Sequence, residues 1–143
     1  MSDLSLVVAN TIITGAFAKA SELEMKPLAI AVLDAGGHLK AFQKQDGASI
    51  LRYEIAAGKA YGALGTGRGS RSLHAAAVER PHFVAGLNAV SGGRIVPVPG
   101  GVLIRDNDGK LIGAVGVSGD TSDNDEIAAV AGIDASGLTA QID

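Results

Sequence analysis

The chain has 143 residues, enough for one domain able to bury roughly 70% of its unfolded surface. It is 47% hydrophobic yet only 3% aromatic, with 20 glycines, no tryptophan and no cysteine, and a formal net charge of -3. Those numbers exclude a disulfide framework, a cysteine-ligated metal, a cysteine nucleophile and intrinsic disorder, and they argue against partners such as nucleic acid or an acidic membrane.

Met1-Ser2-Asp3-Leu4 carries no basic segment, so the apolar residues up to Ile13 do not read as a secretory leader. No apolar run approaches the roughly 18 residues of a membrane span, and a cytoplasmic location is the expectation. Leu4, Val8, Ile12 and Ala16 recur every four residues and predict a helix. Ser2 or Asp3 is its expected N-cap, and Lys26-Pro27 ends it near Met25. Leu28 to Leu33 reads as a strand covered on both faces, and the turn Asp34-Ala35-Gly36-Gly37 leads into a second strand, His38 to Gln43. Ser49 is placed to cap a second helix, whose stripe is Tyr53, Ala57, Ala60 and Leu64.

Gly62 to Gly69 holds four glycines and reads as a loop or a frayed helix end. Two short helices follow, one from about Arg71 to Val78 and one opening on Pro81 and closed by Ser91-Gly92-Gly93. Ile95 to Val98 is a short apolar run that Pro97 and Pro99 confine to a sheet edge or a loop. Val102 to Arg105 and Leu111 to Val117 form a second hairpin around Asp106-Asn107-Asp108-Gly109. Thr121 or Ser122 caps a last helix, with Asp123, Asp125 and Glu126 in its first turn and Gly137 at its end. The predicted order, α-ββ-ααα-βββ-α, is that of a single α+β domain over residues 1–143 with a mainly antiparallel sheet.

Three motif-like segments fail on spacing. Gly65-Thr66-Gly67-Arg68-Gly69-Ser70 matches neither a P-loop nor a dinucleotide fingerprint. Gly116-Val117-Ser118-Gly119-Asp120 ends in Asp where a nucleophile elbow has Gly, and every histidine lies upstream of Ser118. Asp106-Asn107-Asp108-Gly109 has its glycine too early for a calcium loop. Ser118 is left as a strand-end residue facing a pocket, and Asp120, not needed for the helix cap, stays open to a role in a site. His74 and His82 are eight residues apart, off the spacing that puts two ligands on one helix face. His38 leaves a Gly-Gly turn at the start of a strand, where a side chain reaches a pocket mouth. Pro97-Val98-Pro99-Gly100-Gly101 stiffens the chain and then lets a ligand approach the backbone at Gly100 and Gly101. Lys59, beside the apolar stripe, is either a solvated charge or a cation closing the pocket.

Taken together, Val32-Leu33-Asp34-Ala35-Gly36-Gly37-His38-Leu39, Asp46-Gly47-Ala48, Gly58-Lys59-Ala60 and Pro99-Gly100-Gly101 resemble the GlcG/HbpS-like family, which includes the C-terminal domain of PduO proteins. Ile112 to Gly119 and Asp123-Asn124-Asp125-Glu126 leading into Ala131-Gly132-Ile133 are similar too, in the family order and over about Leu6 to Leu138. The resemblance implies a five-stranded antiparallel sheet packed by helices, with profilin/PAS-like layering, and a dimer-based homo-oligomer such as a tetramer or octamer. It also implies a small-molecule ligand, with haem or a related tetrapyrrole as the leading cofactor. His38 is then the axial iron ligand, with Lys59 or Arg94 meeting the propionates. Two departures stand out: the leader of secreted members is missing, and so is the cysteine many members carry near Ala128. Such a binder would serve as an accessory protein in a catabolic operon; the alternatives are an enzyme acting on a small hydroxy- or oxo-acid in glycolate- or diol-type catabolism, or a structural accessory subunit. In the enzyme, His38, Asp120 or Asp125 would serve as acid–base groups and the Gly100 and Gly101 amides would hold an oxyanion. The glycine blocks at Gly36-Gly37, Gly62 to Gly69, Gly92-Gly93 and Gly100-Gly101 are the expected pocket positions.

Overall fold

Helix α1 (Leu6–Glu22) opens the computed structural model, which describes residues 3–143. Its N-cap is Ser5, whose hydroxyl accepts from the Val8 amide at 3.2 Å, so the cap lies beyond Asp3. Ser2 lies outside the described residues. The helix stops before Met25 because Glu24 turns left-handed at φ 52°, and the amides of Glu24 and Met25 close onto the carbonyls of Ser21 and Ala20.

Strands β1 (Ala29–Asp34) and β2 (Leu39–Lys44) form the first hairpin. Helix α2 (Arg52–Thr66) starts from Leu51 with no side-chain cap, so Ser49 does not serve there. It runs through Gly62 and Gly65 and ends where Gly67 turns left-handed at φ 72°. Helices α3 (Ser70–Glu79) and α4 (Pro81–Val90) make a hairpin with Pro81 in the first turn of α4. Strands β3 (Gly101–Arg105) and β4 (Leu111–Ser118) follow, then α5 (Ser122–Ala135), capped by the Thr121 hydroxyl, and a short β5 (Thr139–Gln141).

The five strands form one sheet of order β2-β1-β4-β3-β5, antiparallel at every pairing. This is the expected α+β domain, with one strand differently sourced. Ile95 to Val98 stays out of the sheet, and the fifth strand comes from the C-terminal tail, giving the order α-ββ-ααα-ββ-α-β. Pro97 and Pro99 have no amide to give a neighbouring strand, and the Val96 amide donates to the Gly58 carbonyl instead, tying the segment to α2.

The two sheet faces carry different side chains. Ile30, Val32, Val102, Ile104, Val115 and Val117 point to α1 and α5 and pack with Ile12, Ile13, Ala16 and Ile133. Ala31, Leu33, Leu103 and Ala114 point the other way, to Ala56, Ala60 and Ala63 of α2. The alternation is that of strands buried on both faces. On the α2 face the helix backbone lies against the sheet itself: a Cβ at Gly116 would overlap the Ala56 carbonyl, and one at Gly101 would overlap that of Lys59. The buried face of α2 is therefore Ala56, Lys59, Ala60 and Ala63 rather than the stripe through Tyr53, Ala57 and Leu64. The α1–α5 pair shows the same closeness, since a Cβ at Gly132 would overlap the Ile12 carbonyl.

A contrast of two glycines tests this packing. Gly116→Ala must push α2 off the sheet and should lower stability by about 2–3 kcal/mol or prevent folding. Gly65→Ala, in the same helix with open space around it, should raise stability by up to about 1 kcal/mol. Urea denaturation of both variants gives the comparison, and equal effects would refute the close-contact account.

Candidate ligand-binding site

The β1–β2 turn is built around one carboxylate. Asp34 Oδ1 accepts from the amides of Gly36 at 2.9 Å and His38 at 3.1 Å, and it lies 3.4 Å from His38 Nδ1. Gly37 takes the left-handed conformation, φ 82°, with its Cα side against the Tyr61 ring. Past the turn the register slips: Val32 faces Ala41 while Leu33 faces Leu39, which leaves Lys40 as the extra residue of a bulge. Bulges re-aim neighbouring side chains. Partial burial raises the Asp34 carboxyl, but the His38 and Gly36 amides and the imidazole outweigh it and hold the group below its usual range.

This turn forms one wall of a cavity of about 530 Å³. The floor is the outer face of α2, where Tyr53, Ala57 and Tyr61 recur every four residues. The far wall is the segment from Gly93 to Val96. That segment is held by the Asn88 side chain, which accepts from the Ile95 amide at 3.0 Å, and by the bond from Val96 to Gly58. Gly58 is needed there because a Cβ would lie 2.6 Å from Val96 Cγ2. Arg94 lays its guanidinium over the Tyr61 ring, 3.6 Å from the centroid, a cation–π arrangement. Tyr53 meets Phe42 of β2 edge to face, with centroids 4.8 Å apart. Both tyrosines of the chain thus line the cavity, so a low aromatic content does not leave it without rings.

The residues singled out in the sequence fall into two separate groups. His38 and Arg94 meet at the cavity, together with Gly37 and Gly93 of the glycine blocks. Lys59, Gly100, Gly101, Ser118, Asp120 and Asp125 gather instead where β4 ends and α5 begins. Lys59 and Asp125 are both 2% exposed, with Nζ 3.0 Å from Asp125 Oδ2 and 2.9 Å from the Val117 carbonyl. Gly100, at φ 125°, packs over the lysine stem. Burial pushes the Lys59 ammonium down and the Asp125 carboxyl up, and their mutual attraction opposes both shifts. The Lys59 charge is thus neither solvated nor free to close the cavity. The Gly101 amide donates to the buried Ser70 hydroxyl at 2.7 Å, which in turn donates to the Val98 carbonyl, so it holds a loop rather than an oxyanion. Ser118 accepts from Arg52 at 3.0 Å.

Asp120 has a structural task that the sequence left open. It accepts from the Lys26 amide at 2.9 Å, the Thr121 amide at 2.9 Å and the Asn124 side chain at 2.7 Å, joining the α1–β1 loop to the start of α5. The Lys26 amide, then Asn124 and Thr121, keep its carboxyl ionised below the usual range. Asp123 and Glu126 turn to Arg71 of α3. His74 and His82 are exposed. Among the described residues no group of three or more His, Cys, Asp or Glu is placed to hold a metal ion.

What the sequence reading missed is Tyr53 and Tyr61 as the floor of the cavity, and Asp34 as the group that holds the turn beside it. The signal was present in the Tyr53–Ala57–Tyr61 spacing, but the same residues also fit a core-facing stripe.

Two measurements test the second cluster. Lys59→Met strands a buried carboxylate and should cost about 3–5 kcal/mol, as should Asp125→Leu, whereas the double variant should fall well short of their sum. A double-mutant cycle in urea reads the coupling, and additive losses would show that the pair does not act as a unit. For Asp120 the folded-state carboxyl sits below its unfolded value of about 3.9, so its contribution is complete above that pH and fades as pH falls through the folded value. Asp120→Asn should therefore flatten the loss of stability between pH 6 and pH 3, measured by denaturation at each pH.

The fold has counterparts in known proteins. A crystal structure of a PduOC–haem complex superposes with a TM-score of 0.85 at 25% identity, over 96% of this chain and 97% of that one. Klebsiella pneumoniae protein ORFY gives a TM-score of 0.84 at 28% identity, over 94% and 90%. HbpS gives 0.79 at 26%, over 92% and 89%. An uncharacterized 15.0 kDa protein of the dhaT–dhaS intergenic region of Citrobacter freundii is 33% identical over 134 residues, 94% of this chain and 92% of that protein. No helix of the described residues is long and apolar enough to cross a membrane. The model of the family described as haem-degrading protein HbpS-like matches residues 4–134, and the chain belongs to that family.

Proposed function

We propose that this protein binds haem, or a closely related tetrapyrrole, in the cavity between α2, the β1–β2 turn and the Gly93–Val96 segment. The observation that carries the reading is the convergence there of three features a haem site requires. One is an apolar slot lined by Leu33, Leu39, Ile55 and Val96 with two tyrosine rings, the second an imidazole at the mouth, the third a guanidinium on the opposite wall. A volume of about 530 Å³ lies within the range of small-molecule sites, about 300–1,000 Å³. Bound haem would supply an iron centre that an imidazole nitrogen can hold.

The chain's own groups then have distinct tasks. His38 is 82% exposed and would hold the iron without first having to leave a packed core. The Tyr53 and Tyr61 rings and the aliphatic residues exclude water from the faces of a flat apolar ligand. Among the described residues that line the cavity, Arg94 is the one basic side chain other than histidine and Glu54 the one acidic side chain, so Arg94 would hold the propionates of a bound haem. The PduOC–haem complex at the same fold supports the choice of ligand.

Absorbance titration with hemin tests the proposal. The wild-type protein should shift the Soret band, His38→Ala should lose that shift, and Arg94→Gln should weaken binding about tenfold, or roughly 1.4 kcal/mol. With a porphyrin dimethyl ester, which lacks carboxylates, Arg94→Gln should bind as the wild type does. Absence of a Soret shift in the wild type, or an unaltered spectrum in His38→Ala, would overturn the reading.

A further inference from the structure

His38 raises a physical problem. Its side chain is 82% exposed, so core packing does not select its rotamer, yet an axial ligand must present one particular nitrogen in one direction. Two features of the turn supply what packing does not. The first is Asp34, whose Oδ1 lies 3.4 Å from Nδ1 and is itself fixed by the Gly36 and His38 amides. An ionised carboxylate only accepts hydrogen bonds, so the ring nitrogen facing it must carry the proton. In a neutral imidazole the other nitrogen, Nε2, then holds the free lone pair. The second is Gly36, over which the ring lies: a Cβ there would sit 2.9 Å from Nδ1, 3.0 Å from Cε1 and 3.3 Å from Asp34 Oδ1. Any other residue at 36 would push on both the imidazole and the carboxylate. The Lys40 bulge directly after the turn sets how the whole unit is aimed.

We infer that Asp34 and Gly36 pre-set the His38 imidazole as the Nδ1–H tautomer with Nε2 bare, which makes Asp34 the positioning residue for iron ligation by His38. The haem part of this inference rests on the function proposed above, while the tautomer does not. Neutral histidine free in water favours the opposite form, with the proton on Nε2, so the assignment is distinctive. The carboxylate also places a negative charge behind the ring, which makes the imidazole a stronger donor and favours the ferric over the ferrous state of a bound iron.

The 15N shifts of the His38 ring in the ligand-free protein, at a pH where the ring is neutral, provide the first test. Wild type should show Nε2 unprotonated. Asp34→Ala and Gly36→Ala should move the population toward Nε2–H, whereas Asp34→Asn should keep the wild-type pattern because its amide oxygen still accepts. A predominance of Nε2–H in the wild type would overturn the inference without touching the haem reading. With hemin, Asp34→Ala should lose about tenfold in affinity. Asp34→Asn should bind nearly as the wild type does but with a higher ferric/ferrous reduction potential, a change that a purely structural role for residue 34 would not produce. Should hemin bind through His38 while Asp34→Ala leaves affinity and potential unaltered, the positioning role is wrong. Should His38→Ala bind hemin normally while Nδ1–H predominates in the free protein, iron ligation by His38 falls and the tautomer stands.

Discussion

The contact between the α2 backbone and the sheet governs most of what surrounds it. Gly116 and Gly101 bring the strands up to the carbonyls of Ala56 and Lys59, a distance at which neither strand position can carry a side chain. A helix seated that low can face the sheet only with alanine and glycine, and its larger side chains must leave from the flanks. Tyr53 and Tyr61 leave on one flank and become the floor of the cavity. Lys59 is carried inward beside the end of β4, where it is out of reach of water. Its partner Asp125 follows from that constraint, because an isolated ammonium buried there would be far more costly than a paired one.

The opposite face of the sheet obeys a different rule. Isoleucine and valine fill the space to α1 and α5, so the apolar driving force is concentrated there, at about 1.5–3 kcal/mol for each large side chain taken from water. The α2 face contributes less apolar area and more geometry. This division explains how a chain with so few aromatic residues builds both a core and a cavity: the branched aliphatics supply the core, and its two tyrosines are free for the cavity.

Local chemistry was readable wherever a residue type answers to its immediate neighbours. The Asp34–Gly37 turn, Thr121 as a cap, Pro81 in a first helical turn and Gly137 after the last helix all stand where sequence spacing places them. Ser49 is not the cap its local signal suggests, and of the two places open to the Ile95–Val98 run, sheet edge or loop, the structure takes the loop. The cap position falls to Leu51, two residues past Ser49, and the 95–98 run finds its hydrogen-bond partner on α2 instead of a strand. Lys59 was ambiguous for a similar reason. A lysine beside an apolar stripe is ordinarily solvated, and only the acid delivered from Asp125, 66 residues further along the chain, makes its burial possible.

The sequence by itself determined the α+β class, the antiparallel hairpins, the family and two residues of the cavity, His38 and Arg94. These rest on short-range periodicity, turn chemistry and motif order, all of which are properties of neighbouring residues. Tertiary structure alone decided that Lys59, Asp125, Ser118 and Gly101 lie apart from the cavity, while Tyr53 and Tyr61 line it and Asp34 holds the turn beside it. Those roles depend on which side of α2 meets the sheet, and that choice is set by the depth at which two glycines let the helix settle, a quantity no local pattern encodes.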